Sequence, residues 1–322
     1  MNRVPLDWNL ADNLGLTVGN TRTKSYTAPG GGSANVVITR RAGPFFWAVS
    51  EGASGGIGSQ ASGRRRYGLL FRLDMPQMNF LGAITTQGNT TVNGNVTVSG
   101  NDTTPAGWSS CGPSGPAVAG AAISPTTTAT VNGSVVIKGN PPSLTTPAAA
   151  DSNTYFNYGN SNYQSLAATA SLVYPGGSLL NGVGPIVVGA ACQTSVNPPN
   201  WGEPNHATPA GACDSYFPII HVLGDLKVTT GRGQGILFVD GDLTIAGNFA
   251  FDGAVIVRGG LKMSGTGNKI VGATMAASVS VDDNVALSGN TSLLYSACAL
   301  QSALSASAYP TRAIQRAWVD LY

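Results

Sequence analysis

Few residues of this chain have the spacing that catalysis requires. Residues 52–56 read GASGG, which matches the G-x-S-x-G pattern with Ser54 as the nucleophile. A nucleophile elbow needs a helix directly after the serine, and the sequence that follows, GGIGSQASG, is a poor helix former. A triad would also need His206 or His221, the two histidines of the chain. We therefore interpret the motif as a turn between strands.

A second glycine-rich string, GRGQG at residues 231–235, has the composition of a phosphate-binding loop. That function requires a helix whose N-terminus points at the phosphate. The sequence that follows is ILFVDGDL, which is typical of a strand. We therefore expect no nucleotide cofactor, and no other cofactor is indicated.

Acidic residues recur near the same region. Asp225 and Asp242 are 17 residues apart, and Asp240 stands two positions before Asp242. Stacked in this way, their oxygens are weak candidates for Ca²⁺ ligands. The alternative is that each aspartate caps backbone N–H groups at a corner. Gly260 stands where the series would continue, which favours capping, so we predict no metal site.

A polysaccharide lyase or glycosidase would need a pair of acidic residues that share one face. The chain has only 15 Asp and Glu residues, and no two recur with a Lys or Arg on a shared repeat. The sequence therefore predicts a protein that is not an enzyme.

The four cysteines are Cys111, Cys192, Cys213 and Cys298. An even number without a C-x-x-C pair indicates two disulfides in an oxidising compartment rather than a zinc site. Four cysteines allow three pairings. We favour Cys192 with Cys213, since both flank one loop rich in Pro and Asn, which leaves Cys111 with Cys298.

The composition indicates a folded, turn-rich and weakly charged protein. Charged residues are 10% of the chain, against roughly 25% in typical soluble domains. A net charge of +2 without a long basic stretch excludes a nucleic-acid partner. No run of apolar residues is long enough for a membrane helix, and no signal peptide is visible after Met1. We expect an extracytoplasmic location: cell surface, pilus or periplasm.

Short apolar runs between glycines recur at intervals of 17–19 residues. The clearest begin at Gly235, Gly253 and Gly272, and Leu226, Leu243 and Leu261 keep step with them. Alternation at period two turns one side of each run inward, and such repeats bury that side only by stacking. Leu226, Leu243 and Leu261 should form one interior stack, with Ile245 and Met263 in another. The spacing therefore predicts a parallel β-helix.

We predict an all-β protein with two domains. Residues 1–80 form an N-terminal antiparallel β module, with strands in residues 34–41, 45–52 and 64–74. Residues 81–322 form a right-handed parallel β-helix with long lateral loops. These loops are insertions at 101–130 and 140–217, and the apolar C-terminus caps the open end of the helix.

Aromatic residues are concentrated in the predicted loops. Exposed aromatics bind glycans or protein partners, whereas buried ones would pin the loops to the wall of the β-helix. We favour packing and keep partner or glycan contact as the alternative. The candidates are Trp108, Trp201, Tyr155, Tyr158 and Tyr163.

Several strings together resemble the C-terminal β-helical region of bacterial PilX-type pilus-assembly proteins and their minor-pilin-like relatives. The likeness covers most of residues 64–322, and GQGILFVDGDL with YSAC and the terminal Trp motif is its most specific part. The strings are NWGEP (200–204), CDSYFPII (213–220), GRGQGILFVDGDLTIAGNFAFDGAVIVRGGL (231–261), YSACAL (295–300) and RAWVDLY (316–322).

The resemblance implies an exported, non-catalytic scaffold whose partners are pilus or surface subunits, and a second copy of the chain is a further candidate partner. It also implies an N-terminal pilin-like helix. The chain departs from that pattern, and a prepilin-type segment encoded upstream of Met1 would be needed to supply the helix. The alternatives are an adhesin that binds a glycan or a partner, and a bactofilin-like polymer, which is cytosolic and needs no disulfides.

Overall fold

The protein is mostly β structure and divides into two compact units. The first consists of Met1–Met75 and Ala308–Tyr322, and the second of Pro76–Ser307. Residues 1–15 of the predicted N-terminal module, and residues 313–317 and 321–322 of the predicted C-terminal cap, lie outside the described residues. The computed structural model describes residues 16–27, 32–54, 63–109, 111–194, 199–204, 211–282, 291–312 and 318–320.

Strands and helices are numbered in chain order. The strands of the first half are β1 (Thr21–Thr27), β2 (Ser33–Arg40), β3 (Phe45–Ser54), β4 (Gly63–Asp74), β5 (Gly82–Thr86), β6 (Thr90–Asn93), β7 (Val96–Ser99), β8 (Ala119–Ile123), β9 (Ala129–Asn132), β10 (Val136–Lys138), β11 (Ser143–Thr145), β12 (Asn157–Tyr158) and β13 (Ser161–Asn162). Those of the second half are β14 (Leu172–Pro175), β15 (Ser178–Leu180), β16 (Val187–Val188), β17 (Ala191–Cys192), β18 (Ile219–Leu223), β19 (Leu226–Val228), β20 (Gly231–Val239), β21 (Leu243–Ile245), β22 (Phe249–Ser264), β23 (Lys269–Asp282), β24 (Thr291–Tyr295), β25 (Tyr309–Arg312) and β26 (Trp318–Asp320). The helices are α1 (Ser152–Phe156), α2 (Tyr163–Ala167) and α3 (Ala297–Ala306), with a 3₁₀ turn at Pro147–Ala149.

The first unit is an antiparallel sheet in which β1, β2, β3 and β4 follow one another and β25 and β26 pair with β4. Alternation in β2 turns Val36 and Ile38 into a core with Phe46 and Phe71. We predicted that the C-terminus caps the other domain. Instead, β25 and β26 pair with β4 in this sheet, and Thr311 Oγ1 donates a hydrogen bond of 2.7 Å to Asp74 Oδ2.

The second unit contains a large parallel sheet arranged as three ladders. Each ladder is a row of short parallel strands from successive segments of the chain. Ladder A consists of β14, β18, β20, β22, β23, β5, β8 and β11. Ladder B consists of β15, β19, β21, β22, β23, β6 and β9. Ladder C consists of the first residues of β20, β22 and β23, followed by β24, β7 and β10.

The interior of the ladders follows the predicted register. In ladder B, Leu226 pairs with Leu243, which pairs with Leu261, and Ile245 pairs with Met263. All five side chains are buried in one core cluster. Stacking of like apolar residues at each step removes them from water together, which favours this register over a slipped one.

Glycine is required where ladder C passes into ladder A. Gly235, Gly253 and Gly272 lie side by side in register, with φ of 107°, 137° and 146°. A Cβ on Gly253 would overlap the carbonyl oxygen of Gly235, and one on Gly272 would overlap that of Gly253. The glycine repeat therefore reflects both positive φ and close stacking of backbones.

The order of strands in space is shifted relative to the order in the chain. In the ladders, the strands of residues 172–295 come first and those of residues 82–145 follow, so that β23 pairs with β5 and β6. Two contacts lie at this junction, and together we call them the junction clasp. The Cys111–Cys298 disulfide links the two segments, and Asp102 Oδ1 accepts a hydrogen bond of 2.8 Å from the Ala297 N–H.

In the middle of ladder A, the segments of β20, β22 and β23 are buried on both faces. One face lines the core, and the other is covered by residues of α2 and α3, including Tyr163, Leu166 and Leu300. This double burial explains the continuous apolar runs ILFV, AVIV and ATMA. In the described part of the chain, no helix has the length and apolar character needed to cross a membrane.

The irregular segments are shorter than we predicted. β8 lies within 101–130, and β11, β14 and β15 lie within 140–217, yet all four belong to the parallel ladders. β8 reads AGAAI, and Ala and Gly are depleted in strands, so its sequence carries little strand signal. Burial of all five of its residues, not propensity, defines this strand.

Candidate functional site

Trp201, from the NWGEP string, is completely buried in the second unit. Its ring meets the rings of Phe249 and Phe251 edge-on, with centroids 6.1 and 6.5 Å away. Its indole Nε1–H donates a hydrogen bond of 2.8 Å to the Tyr174 hydroxyl. A Cβ on Gly233 would lie 2.9 Å from the ring, so glycine makes room for it. Trp201 therefore fills the core beside ladder C.

Gln234 connects ladder C to the loop that carries Cys213. Its Nε2 donates hydrogen bonds to the carbonyl oxygens of Cys213, Asp214 and Tyr216 at 3.2, 3.0 and 2.9 Å. Its backbone N–H donates to the Trp201 carbonyl at 2.8 Å. Because carbonyl oxygens only accept, these contacts fix which way the amide points.

Asn200 and Glu203 hold the loop around the Cys192–Cys213 disulfide. Asn200 Nδ2 donates to the Gln193 carbonyl at 2.7 Å, and Glu203 Oε2 accepts from the Cys213 N–H at 2.9 Å. Both side chains are buried. The structure pairs Cys192 with Cys213 and Cys111 with Cys298, as we favoured from the sequence.

We refer to Asn200, Trp201, Glu203, Gln234 and the Cys192–Cys213 disulfide as the Trp201 cluster. The polar side chains of the cluster bond mainly to backbone groups. Such bonds satisfy N–H and C=O groups that a buried loop would otherwise leave without partners. The cluster therefore fixes a long loop to the ladders, which makes it a structural site.

Asp225 and Asp242 cap successive steps of the ladders. Asp225 Oδ1 accepts a hydrogen bond of 2.8 Å from the Asp242 N–H, and Asp242 Oδ1 accepts one of 2.7 Å from the Gly260 N–H. Both aspartates therefore cap backbone N–H groups, which is the alternative to Ca²⁺ binding that we favoured from the sequence. Within the described ranges, no group of three or more His, Cys, Asp or Glu residues is arranged to hold a metal ion.

Asp240 lies in a different cluster. Its carboxylate contacts His221 Nε2 at 3.0 Å and accepts a hydrogen bond of 2.8 Å from the Tyr163 hydroxyl. Arg258 lies 3.8 Å from the same carboxylate and stacks over the Tyr163 and Phe156 rings. Burial, followed by the bond to Asp240, raises the pKa of Tyr163, so its hydroxyl stays protonated as a donor. These contacts fasten α2 to ladder A.

Four of the five aromatic candidates for partner or glycan contact are buried. Trp201 and Tyr158 have no exposed surface, and Tyr155 and Tyr163 have almost none. The Tyr155 hydroxyl donates to the Ala149 carbonyl at 2.8 Å, and burial raises the pKa of Tyr155 and Tyr158. Only Trp108 is half-exposed, edge-on to Phe217 with centroids 5.6 Å apart. These positions favour packing over contact with a ligand.

A polar cleft lies beside the junction clasp, between α3 and the chain that precedes β8. Its volume is about 440 Å³. Asp102 is part of its wall, but both carboxylate oxygens already accept backbone N–H groups. The remaining side chains supply hydroxyls and an amide, from Thr104, Ser114, Gln301, Ser302 and Ser305. Asp102 is therefore the one titratable side chain among the described residues that line the cleft, and it caps backbone groups.

Sequence reasoning did not identify Gln234, Asn200, Glu203 or Asp252 as individual residues of interest. All four belong to strings on which the family resemblance rests. No spacing rule links them, because they converge from separate segments of the chain. Asp252 had no signal beyond an acidic residue between Phe251 and Gly253 in a buried run.

No family model matches the chain, and no curated protein is similar to it. Among solved structures, it is similar to the competence-associated pilin ComZ from Thermus thermophilus. The identity is 11%, the match covers 95% of this chain and 86% of that chain, and the TM-score is 0.28. A likeness at this level does not establish a shared fold, so function is inferred below from the chain's own residues.

Proposed function

We propose that this protein is a non-catalytic structural protein of the bacterial cell surface, associated with a type IV pilus. The observation that carries the proposal is the Trp201 cluster. NWGEP, CDSYF and GRGQG, three strings that resemble PilX-type proteins, meet there around a disulfide. The residues behind the resemblance thus maintain a scaffold.

We further propose that the second unit is a right-handed parallel β-helix. From β18 to β23, partner strands of the ladders follow one another at steps of 17–19 residues, and Leu226, Leu243 and Leu261 form one interior stack in ladder B. Each repeat buries its apolar side only against its neighbours, which produces a stiff rod. A rod of this kind suits a protein that holds loops away from a surface.

Cysteine pairing supports a location outside the cytoplasm. The structure has two disulfides and no free cysteine, and disulfides persist in oxidising compartments. A cytosolic filament of the bactofilin kind would not need them. The partners we propose are pilus or surface subunits, and self-association remains a prediction.

The test is the location and thiol state of the epitope-tagged protein expressed from its own locus. We expect it in the shear-released surface fraction or the periplasm, with both disulfides intact in non-reducing mass spectrometry. Recovery from the cytosol with four free thiols would overturn the proposal in favour of a cytosolic polymer.

A matched variant separates the scaffold role from an adhesin role. Trp108→Ala alters the half-exposed aromatic candidate, whereas Trp201→Ala disrupts the buried cluster. We expect Trp108→Ala to leave surface recovery unchanged and Trp201→Ala to reduce it. If Trp108→Ala instead abolishes binding of cells to glycans while the protein stays folded, the adhesin function replaces the scaffold function.

A further inference from the structure

Asp252 is a buried acid near the start of β22. It is 1% exposed and lies in ladder C, in register with Gln234 of β20 on one side and Val271 of β23 on the other. Parallel partners in register extend their side chains to the same side of the sheet at adjacent strands. Asp252 and Gln234 are therefore direct neighbours, and both are inaccessible to water.

Two oxygen atoms of this pair have no hydrogen-bond partner: Asp252 Oδ2 and Gln234 Oε1. The Gln234 amide cannot turn to resolve this, because its Nε2 already donates to three carbonyl oxygens. Two acceptors cannot bond to each other. A single proton on the carboxyl group supplies the missing donor and satisfies both atoms.

We propose that Asp252 is protonated in the folded protein and that its hydroxyl donates a hydrogen bond to Gln234 Oε1, forming a proton-dependent latch. The latch joins β20 to β22 at the residue that also anchors the Trp201 cluster. Loss of the proton places an unpaired carboxylate against an unpaired carbonyl oxygen. The β20–β22 contact and the disulfide loop held by Gln234 are then destabilised together.

The surroundings favour the neutral acid at moderately low pH. Burial raises the pKa of Asp252 to about 7, and the positive charge of Lys269 on β23 opposes the rise. Arg232 of β20 lies on the same side of ladder C, and Asp214 and Tyr216 belong to the loop bonded to Gln234. α3, which packs on β20, β22 and β23, contributes no titratable group, since Cys298 is in a disulfide.

The direction of the pH dependence follows from this geometry. In the unfolded chain Asp252 titrates near its ordinary pKa of about 4, whereas in the fold it keeps its proton up to about pH 7. The folded state therefore binds more protons between these values, and stability falls as pH rises through this window. As pH rises past 7, the carboxyl group loses its proton and the latch opens.

The test compares the full chain with Asp252→Asn, which keeps a donor for Gln234 Oε1 at every pH. We expect the melting temperature of the wild type to fall by roughly 5–10 °C between pH 5 and pH 8 relative to the variant. The matched control is Asp242→Asn, an exposed aspartate that caps a backbone N–H. It should keep the wild-type slope. Parallel profiles for the wild type and Asp252→Asn would overturn the proposal.

A second measurement does not depend on folding of the variant. Infrared spectra of the wild type at pH 5 should contain the carbonyl band of a buried, protonated carboxylic acid. The band should disappear by pH 8 while both disulfides stay intact. A wild-type spectrum without this band at pH 5 contradicts the latch, whatever the location of the protein in the cell.

Discussion

Thr274 lies beside Ile84 in a parallel strand pair, although the two residues belong to opposite ends of the second unit in the chain. The same junction joins β23 to β6 and β24 to β7. Chain connectivity does not hold these strands together. The contact therefore depends on the core that the strands share and on the Cys111–Cys298 clasp beside it.

Removing the clasp should destabilise the second unit. In Cys111→Ala/Cys298→Ala we expect a loss of about 3–5 kcal/mol in the free energy of unfolding, because the disulfide closes a loop of 187 residues. Urea denaturation of the variant and the wild type measures the difference. A loss below about 1 kcal/mol would show that the shared core alone secures the junction.

Stacked glycines should tolerate no side chain. Gly253→Ala places a Cβ against the Gly235 carbonyl oxygen at a φ of 137°, so we expect a loss of more than about 2 kcal/mol or failure to fold. Gly112→Ala is the matched control, since a Cβ there meets no atom within 4 Å. Thermal melts should show the control within a degree or two of the wild type. Equal effects at both sites would contradict the stacking argument.

Asp242 should act as a cap and not as a metal ligand. Asp242→Ala removes the acceptor of the Gly260 N–H and should cost about 1 kcal/mol, whereas Asp242→Asn keeps an oxygen there and should cost less. Millimolar Ca²⁺ or EDTA should leave the melting temperature of the wild type unchanged. A rise with Ca²⁺ that Asp242→Ala abolishes would restore the calcium hypothesis.

Trp201 and Tyr174 should be energetically coupled. Tyr174→Phe leaves the buried indole N–H without its acceptor, at a cost of about 1–3 kcal/mol, and Trp201→Phe removes the donor together with part of the ring. In the double variant we expect the two losses to fall short of additivity by about 1 kcal/mol. Urea denaturation of the four proteins completes the cycle. Strict additivity would mean that the hydrogen bond contributes nothing.

The sequence predicts those features that depend on local repetition. Leu226, Leu243 and Leu261 stack as their spacing indicates. In a strand of alternating apolar and polar residues, a shift of the register by one residue would turn these leucines to the other face. The antiparallel strands β2, β3 and β4 of the first unit were also predicted, because turns rich in Gly and Pro separate their alternating runs, whereas β1, β25 and β26 of the same sheet were not. Both patterns are read within a few dozen residues.

Features that depend on distant segments could not be predicted. The glycines of residues 82–100 have the same six-residue spacing as those of residues 235–253, but this spacing does not indicate that β5, β6 and β7 pair with β23 and β24. The burial of Tyr158 and Trp201 likewise depends on which wall their loops cover. Asp252 and Gln234 become a pair only through strand register, since they stand on separate repeats.

The shifted strand order has a consequence for how this fold can lengthen. The chain enters the second unit at β5 and leaves it after β24, both at the middle of the ladders. The two outer ends, at β11 and β14, are joined to each other through residues 146–171. A duplicated repeat can therefore lengthen the ladders only if it is inserted beside this connection, next to β11 or next to β14. Extending the chain at its termini would not lengthen the ladders.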